Sequence, residues 1–190
     1  IYKYGLQKEI GGAGELQLIS YIRKLKLQPQ GRQVGKDLEY SLLRFVTAHP
    51  FSEYAPEAEY YLSVHYQTGS SPADALLHAG RAVFLYPGNS YIPVVRKLGV
   101  GIVQKNADRW DEDSTLLMRL TDISSHGSGE ERYFRFVTSL GDLEHPDFKR
   151  LFPEEARRFF NLFPESPRSA ELHFLLAGHY ADAAEYEEAV

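Results

Sequence analysis

Two stretches of this chain carry apolar residues at a helical period. Between residues 55 and 68, Ala58, Leu62 and Tyr66 fall at every fourth position, with Tyr61 three after Ala58. Between 72 and 86, Ala75, Ala79, Ala82 and Tyr86 recur in the same way. Such a stripe lies along one side of an α-helix, whereas a half-buried strand alternates with period two. Around these stretches the turn residues come at a regular beat: Gln28-Pro29-Gln30-Gly31, His49-Pro50-Phe51-Ser52, Gly69-Ser70-Ser71-Pro72, Tyr86-Pro87-Gly88-Asn89-Ser90, the Ser/Gly run 124–129, and Phe163-Pro164-Glu165-Ser166-Pro167. Proline lacks an amide N–H and fixes φ, and glycine carries excess backbone freedom, so both punctuate helices. The pattern predicts helices near 13–27, 36–49, 55–67, 72–86, 91–106, 110–124, 130–141, 147–162, 167–181 and from 184 onward. Ser52 and Ser166 are candidate helix caps, and Ser71-Pro72 places a proline at a first helical position, where its missing donor costs nothing.

The pattern also repeats. Arg44-Phe45, Pro50, Ser52, Glu57, Leu62, His65 and Tyr66 return as Arg158-Phe159, Pro164, Ser166, Glu171, Leu176, His179 and Tyr180, each 114 positions later. That spacing is three times 38, and self-similarity at a period of roughly 20–50 residues marks stacked-repeat architectures. Each unit of such an array contacts its neighbours and presents a long surface, so binding is the expected kind of function.

The unit resembles the tetratricopeptide repeat, a helix pair of about 34 residues. In a unit opening at Pro56, Leu62, Ser63 and Tyr66 match the consensus leucine, small residue and tyrosine of the first helix. Ala75, Ala82 and Pro87 match the two alanines and the closing proline of the second. In a unit opening at Ala170, Leu176, Ala177, Tyr180 and Ala189 match in the same way. Leu98-Gly99, then Ala156, Phe159 and Pro164, then Phe45 and Pro50 mark more degenerate units. The resemblance implies an all-α fold, a right-handed superhelix of antiparallel helix pairs. The whole of 1–190 forms one array, with units at about 13–50, 56–87, 92–125, 130–164 and a truncated 170–190. Small residues are wanted where helices cross, because overpacking there costs about 1–3 kcal/mol. The 13 Tyr and 11 Phe are read as filling the spaces between units.

A narrower resemblance rests on residues 45–66 and 159–180. An aromatic, then Pro-x-Ser, then a Glu-led helix with Leu and Tyr is similar to bacterial envelope tetratricopeptide proteins of the outer-membrane-assembly lipoprotein and Tol-Pal-associated type. It implies a periplasmic or outer-membrane-associated location and a protein-interaction scaffold without chemistry of its own. The alternative is a tetratricopeptide domain cut from a larger enzyme or regulator, such as a polysaccharide-export or transferase protein. In the family, one face of each first helix lines a concave groove. The groove positions fall on Glu57, Tyr60, Val64 and Gln67, on Pro93, Arg96, Val100 and Val103, and on Glu171, Phe174, Gly178 and Ala181. The lysine and asparagine with which chaperone-tail-binding members clamp a carboxylate are replaced by Tyr60 or Phe174 and by Val64 or Gly178. An aromatic and aliphatic groove suits an amphipathic helix or an extended apolar peptide instead.

Composition sets limits. The net charge of −5 provides no global attraction for nucleic acid. The one basic cluster, Arg23, Lys24, Lys26, Arg32 and Lys36, reads as a solvated face. With no cysteine, disulfides and thiol chemistry are excluded. No apolar run reaches the length of a membrane span. The chain begins at Ile1 and stops inside a helical pattern at Val190, so a fragment is expected, with oligomers through the end repeats as a further expectation. Of the seven histidines, no two share the i, i+4 spacing that puts two imidazoles on one metal. His65 and His179 echo one repeat position. The carboxylate pairs Glu57/Glu59, Asp111/Asp113, Glu130/Glu131, Glu154/Glu155 and Glu187/Glu188 mostly adjoin predicted helix starts, where negative charge complements the helix dipole. Gly11-Gly12-Ala13-Gly14 lacks the Lys-Ser/Thr of a phosphate loop, and no Gly-x-Ser-x-Gly elbow occurs. No cofactor, metal or catalytic residue is expected, and the partner is a protein or peptide.

Overall fold

A computed structural model of the chain describes residues 13–29, 31–110, 113–121 and 127–182, and among these every regular element is helical. The helices are α1 (Ala13–Lys26), α2 (Arg32–Ala48), α3 (Ala55–Thr68), α4 (Pro72–Leu85), α5 (Ile92–Lys105), α6 (Ser114–Arg119), α7 (Gly129–Gly141), α8 (Pro146–Lys149), α9 (Phe152–Leu162) and α10 (Ser169–Asp182). The Gly-rich lead-in before Ala13 and the helix expected from 184 lie outside the described residues. By its contacts the chain divides into two compact units, residues 1–78 and 79–190, with the boundary inside α4.

In the first unit α1 packs on α2 and α2 on α3. Ile19, Ile22 and Leu25 form the buried stripe of α1, and Leu38, Leu42, Phe45 and Val46 that of α2. The spacing of three to four residues is what one helix side requires. Burying each such leucine or phenylalanine contributes about 1.5–3 kcal/mol. α3 joins α4 through a small residue and two polar contacts. The Ser63 hydroxyl donates to the Ala75 carbonyl at 2.7 Å, and His78 Nδ1 meets Glu59 Oε2 at 2.6 Å. The His78 ring lies flat against Tyr66, with centroids 5.3 Å apart.

In the second unit α9 packs on α7, and α10 on both. The core gathers Tyr133, Phe136, Phe148, Phe152 and Phe159, all essentially without exposure. Tyr133 and Phe159 both stack or tilt against their neighbours at centroid distances of 5.3–6.3 Å. α4 approaches this core at Gly80, where a Cβ would collide with the Phe136 ring.

Two predicted helices are shorter than the pattern indicated. The segment 147–162 is broken into α8 and α9 at Arg150 and Leu151. Pro153 has no N–H to bond the Lys149 carbonyl, and its ring crowds that group. Among the described residues of 110–124, Ser114–Arg119 is the α-helical stretch; Thr121 turns its hydroxyl back onto the Met118 carbonyl at 2.8 Å. Ser52 and Ser166 are not caps of the helix ends. Each accepts the amide N–H two residues on, Tyr54 at 3.0 Å and Arg168 at 3.1 Å, and so shapes the turn before the helix.

The same ladder of backbone bonds closes three loops. His49 N–H donates to Phe45 O, Ser52 N–H to His49 O, and Ala55 N–H to Ser52 O. Tyr86, Asn89 and Ile92 bond Ala82, Tyr86 and Asn89 in that order, and Phe163, Ser166 and Ser169 bond Phe159, Phe163 and Ser166. Asn89 takes the place of the serines, its Oδ1 accepting from Tyr91 N–H at 3.0 Å. Further details are shared by α1–α2–α3 and α7–α9–α10. Ser52 donates to Glu15 on α1, and Ser166 donates to Glu130 on α7. Phe45 and His49 lie 5.4 Å apart at 47°, Phe159 and Phe163 5.3 Å apart at 46°. His65–Tyr66 and His179–Tyr180 meet edge-on at 78° and 75°. The buried stripe Ile19, Ile22, Leu25 on α1 has its counterpart in Phe134, Val137, Leu140 on α7.

Candidate functional site

The groove positions expected in the first unit all lie on α3, at spacings that keep one helix side together. Their exposures differ. Tyr60, Val64 and Gln67 are half-buried, whereas Glu57 is buried. The cause is α1. Arg23 donates to both oxygens of Glu57, at 3.0 and 2.5 Å, a bidentate pairing that a carboxylate and a guanidinium are shaped for. One turn on, the Lys26 ammonium sits 3.3 Å from the centroid of the Tyr61 ring. Burial alone raises the Glu57 carboxyl, but the Arg23 and Tyr61 hydrogen bonds and the Arg23 and Lys26 charges outweigh it and hold it below the usual carboxylate range. Burial likewise lowers the Lys26 ammonium, with Glu57 opposing the shift. Arg23 and Lys26, read from sequence as solvated charge, thus close over this part of the α3 face.

The second unit arranges its positions differently. Arg96 on α5 is exposed and donates from Nε to the Thr121 carbonyl at 3.2 Å, while Val100 is half-buried, Pro93 exposed and Val103 buried. On α10, Phe174 is 79% exposed and Leu175 40%. Glu171 pairs with Arg168 at 3.1 Å, and both side chains are about half in solvent. Gly178 and Ala181 continue the same open face.

Several carboxylates expected at helix surfaces are interior groups. Glu59 is enclosed with His78 in the first unit. Glu155 is enclosed in the second, where Arg81 donates to both its oxygens and the Tyr133 hydroxyl donates at 2.6 Å. Burial raises the Glu155 carboxyl; the Arg81 charge and hydrogen bond, the Arg158 charge and the Tyr133 hydroxyl together bring it below its ordinary value. Burial and the neighbouring Glu155 charge drive the Tyr133 phenol well above its own. These groups bond one another from helices far apart in sequence, and none opens to solvent where a substrate would meet it.

Two surface clefts in the second unit are of modest size. One, of about 260 Å³, is lined by Trp110, Asp113 and His145 among others. Its polar groups serve the loop before α8: Asp113 accepts from the Glu144 and His145 amides, and Trp110 donates to Asp147 at 3.2 Å. The other, of about 340 Å³, lies beside Phe134, Arg135 and Arg168. Among the described residues no three His, Asp or Glu side chains gather as metal ligands would, and no helix is long and apolar enough to cross a membrane. The most open apolar side chain near an expected groove position is therefore Phe174. No protein-family model, curated protein or solved structure matches this chain.

Proposed function

We propose that this chain is a non-catalytic protein-interaction scaffold, a right-handed array of tetratricopeptide-type helix pairs serving a bacterial cell-envelope assembly. The observation that carries the reading is the loop ladder built three times from different residues, at His49–Ala55, Tyr86–Ile92 and Phe163–Ser169. One loop geometry placed between successive helices is what stacking of a single unit requires. The exposed α10 face supplies the binding element, since a large aromatic left in solvent marks an interaction surface more often when its neighbours are also apolar. The envelope assignment draws its support from the motif shared by 45–66 and 159–180.

The test is capture from bacterial envelope extract with the native chain as bait and a Tyr60→Ala/Phe174→Ala chain as control, read by mass spectrometry. Envelope proteins retained by the native bait and lost with the control are the expected result. Retention of the same set by both, or of none, overturns the groove reading.

A further inference from the structure

We infer that the α1–α2 turn of the first unit rests against an anionic lipid surface, with Leu27 among the headgroups and Lys24, Arg32 and Lys36 on their phosphates. This surface is separate from the expected groove positions on α3.

From Leu16 to Lys36 the chain has five cations and no carboxylate, although its net charge is −5. The fold divides the five. Arg23 is committed to Glu57, and Lys26 to the Tyr61 ring. Lys24, Arg32 and Lys36 are exposed and form no ion pair among the described residues. The next acid, Asp37, is half-buried and accepts from Gln33 at 2.9 Å. Lys24 belongs to the last turn of α1, where a cation suits the helix dipole. Arg32 opens α2, where a cation opposes it. The first turn of α2 holds no acid, and its N-cap, Gly31, makes no side-chain cap bond. Helix stability therefore accounts for Lys24 and leaves Arg32 unexplained, while the positive end of α2 adds to the surrounding cations.

Leu27 lies between these cations in the chain and is 87% exposed, the most open large apolar side chain among the described residues. It stands at the far end of α1 from Ala13, about 16 Å along the helix from its start to Lys24. Tyr21 and Tyr40, one turn behind Lys24 and Lys36, are about half exposed. Tyrosine suits the headgroup level, and an apolar side chain beside cations suits the boundary beneath it. Gly35 faces the His65 ring, which brings the turn after α3 to the same end of the unit. There Thr68, Gly69 and Ser70 are exposed and uncharged, so they set no like charge against the headgroups. A turn between antiparallel helices is convex. A stable protein partner needs about 800 Å² on each side, whereas lipid yields to one projecting side chain. Each Lys or Arg near an anionic leaflet strengthens binding about fivefold, which makes the cations the main source of affinity and Leu27 its anchor.

The test is co-sedimentation of the full chain with vesicles of equal parts phosphatidylcholine and phosphatidylglycerol, against vesicles of phosphatidylcholine alone. Circular dichroism checks the folding of each variant. The anionic vesicles are expected to bind about tenfold tighter or more, with the difference lost at about 1 M salt, where charges are screened within about 3 Å. Lys24→Gln and Lys36→Gln each weaken binding about fivefold, and Leu27→Ser about tenfold. Lys97→Gln, at an exposed cation of α5, leaves it unchanged. No binding, equal binding to the two vesicles, or binding weakened as much by Lys97→Gln as by Lys24→Gln overturns the assignment. So does retention of a glutamate-rich amphipathic peptide that the Lys24, Lys36 and Leu27 variants weaken while the vesicles bind nothing; the occupant is then an acidic protein. Tyr60→Ala/Phe174→Ala is expected to leave vesicle binding unchanged, so failure of the groove and failure of the lipid contact are read separately.

Discussion

Glu155 has no exposure, and its worth depends on the two groups that donate to it, Arg81 and Tyr133. Arg81→Met keeps the length of the side chain but leaves a carboxylate buried without its cation. Breaking a buried pair from one side costs about 3–5 kcal/mol. A thermal melt of Arg81→Met is expected to show a large drop, and Arg81→Met/Glu155→Leu is expected to recover much of it, because the buried carboxylate left without Arg81 is then gone. A double mutant no more stable than the single would disprove that account. Gly80 argues the steric counterpart. Alanine there gains about 1 kcal/mol of helix propensity, but its Cβ must displace the Phe136 ring, an overpacking worth about 1–3 kcal/mol. Gly80→Ala should therefore be destabilising in urea unfolding, with Phe136→Leu reducing the penalty.

At the scale of elements, the serine loops make the clearest prediction. Ser52 Oγ accepts from Tyr54 N–H and donates to Glu15, and Ser166 Oγ does the same with Arg168 and Glu130. Each is a bond within the turn and a bond to an earlier helix, and a typical bond is worth about 1 kcal/mol net. Ser52→Ala and Ser166→Ala should each lower stability by about 1–2 kcal/mol. Glu15→Gln should cost less than Ser52→Ala, since it leaves the turn bond intact; equal losses would show that the turn bond contributes nothing. These elements also mark what the sequence can and cannot reveal. α3 and α4 were legible because Ala58, Leu62 and Ala75, Ala79, Ala82 keep a helical period with no competing signal. The α8/α9 break at Pro153 carried a local cause, but the apolar pattern runs through it. The partners of Glu59 and Glu155 were not legible, since His78 and Arg81 lie 19 and 74 positions away and glutamate on a helix reads as solvated. Phe174 was named from the sequence as an expected groove position. Its openness was not legible, because exposure is set by what packs beside α10 and not by the residue's place in the repeat.

At the scale of the whole molecule, buried carboxylates in both units tie stability to pH. Glu57 in the first unit and Glu155 in the second have folded-state values below their ordinary ones. A group with a depressed folded value binds more protons when unfolded, so stability rises with pH across its titration. Their contribution is fully present above the unfolded glutamate value of about 4.3 and is lost as pH falls through the folded values. Tyr133 works at the other end. Its folded value is raised, so its contribution holds below the unfolded tyrosine value of about 10 and is lost as pH rises toward the folded one. Urea midpoints measured from neutral pH downward should therefore stay level until about 5 and then fall steeply. Helical circular dichroism should report the loss in both units. Arg23→Gln removes the guanidinium that opposes the burial of Glu57, so its midpoint should be lower at neutral pH and the first unit's share of the acid-side fall should shrink. Tyr133→Phe should flatten the alkaline limb and, by removing one of the hydrogen bonds that lower Glu155, shrink the acid limb less than loss of Arg81 would. An acid limb unmoved by Arg23→Gln would mean that the Arg23–Glu57 pair, though closed in the structure, does not couple protons to folding.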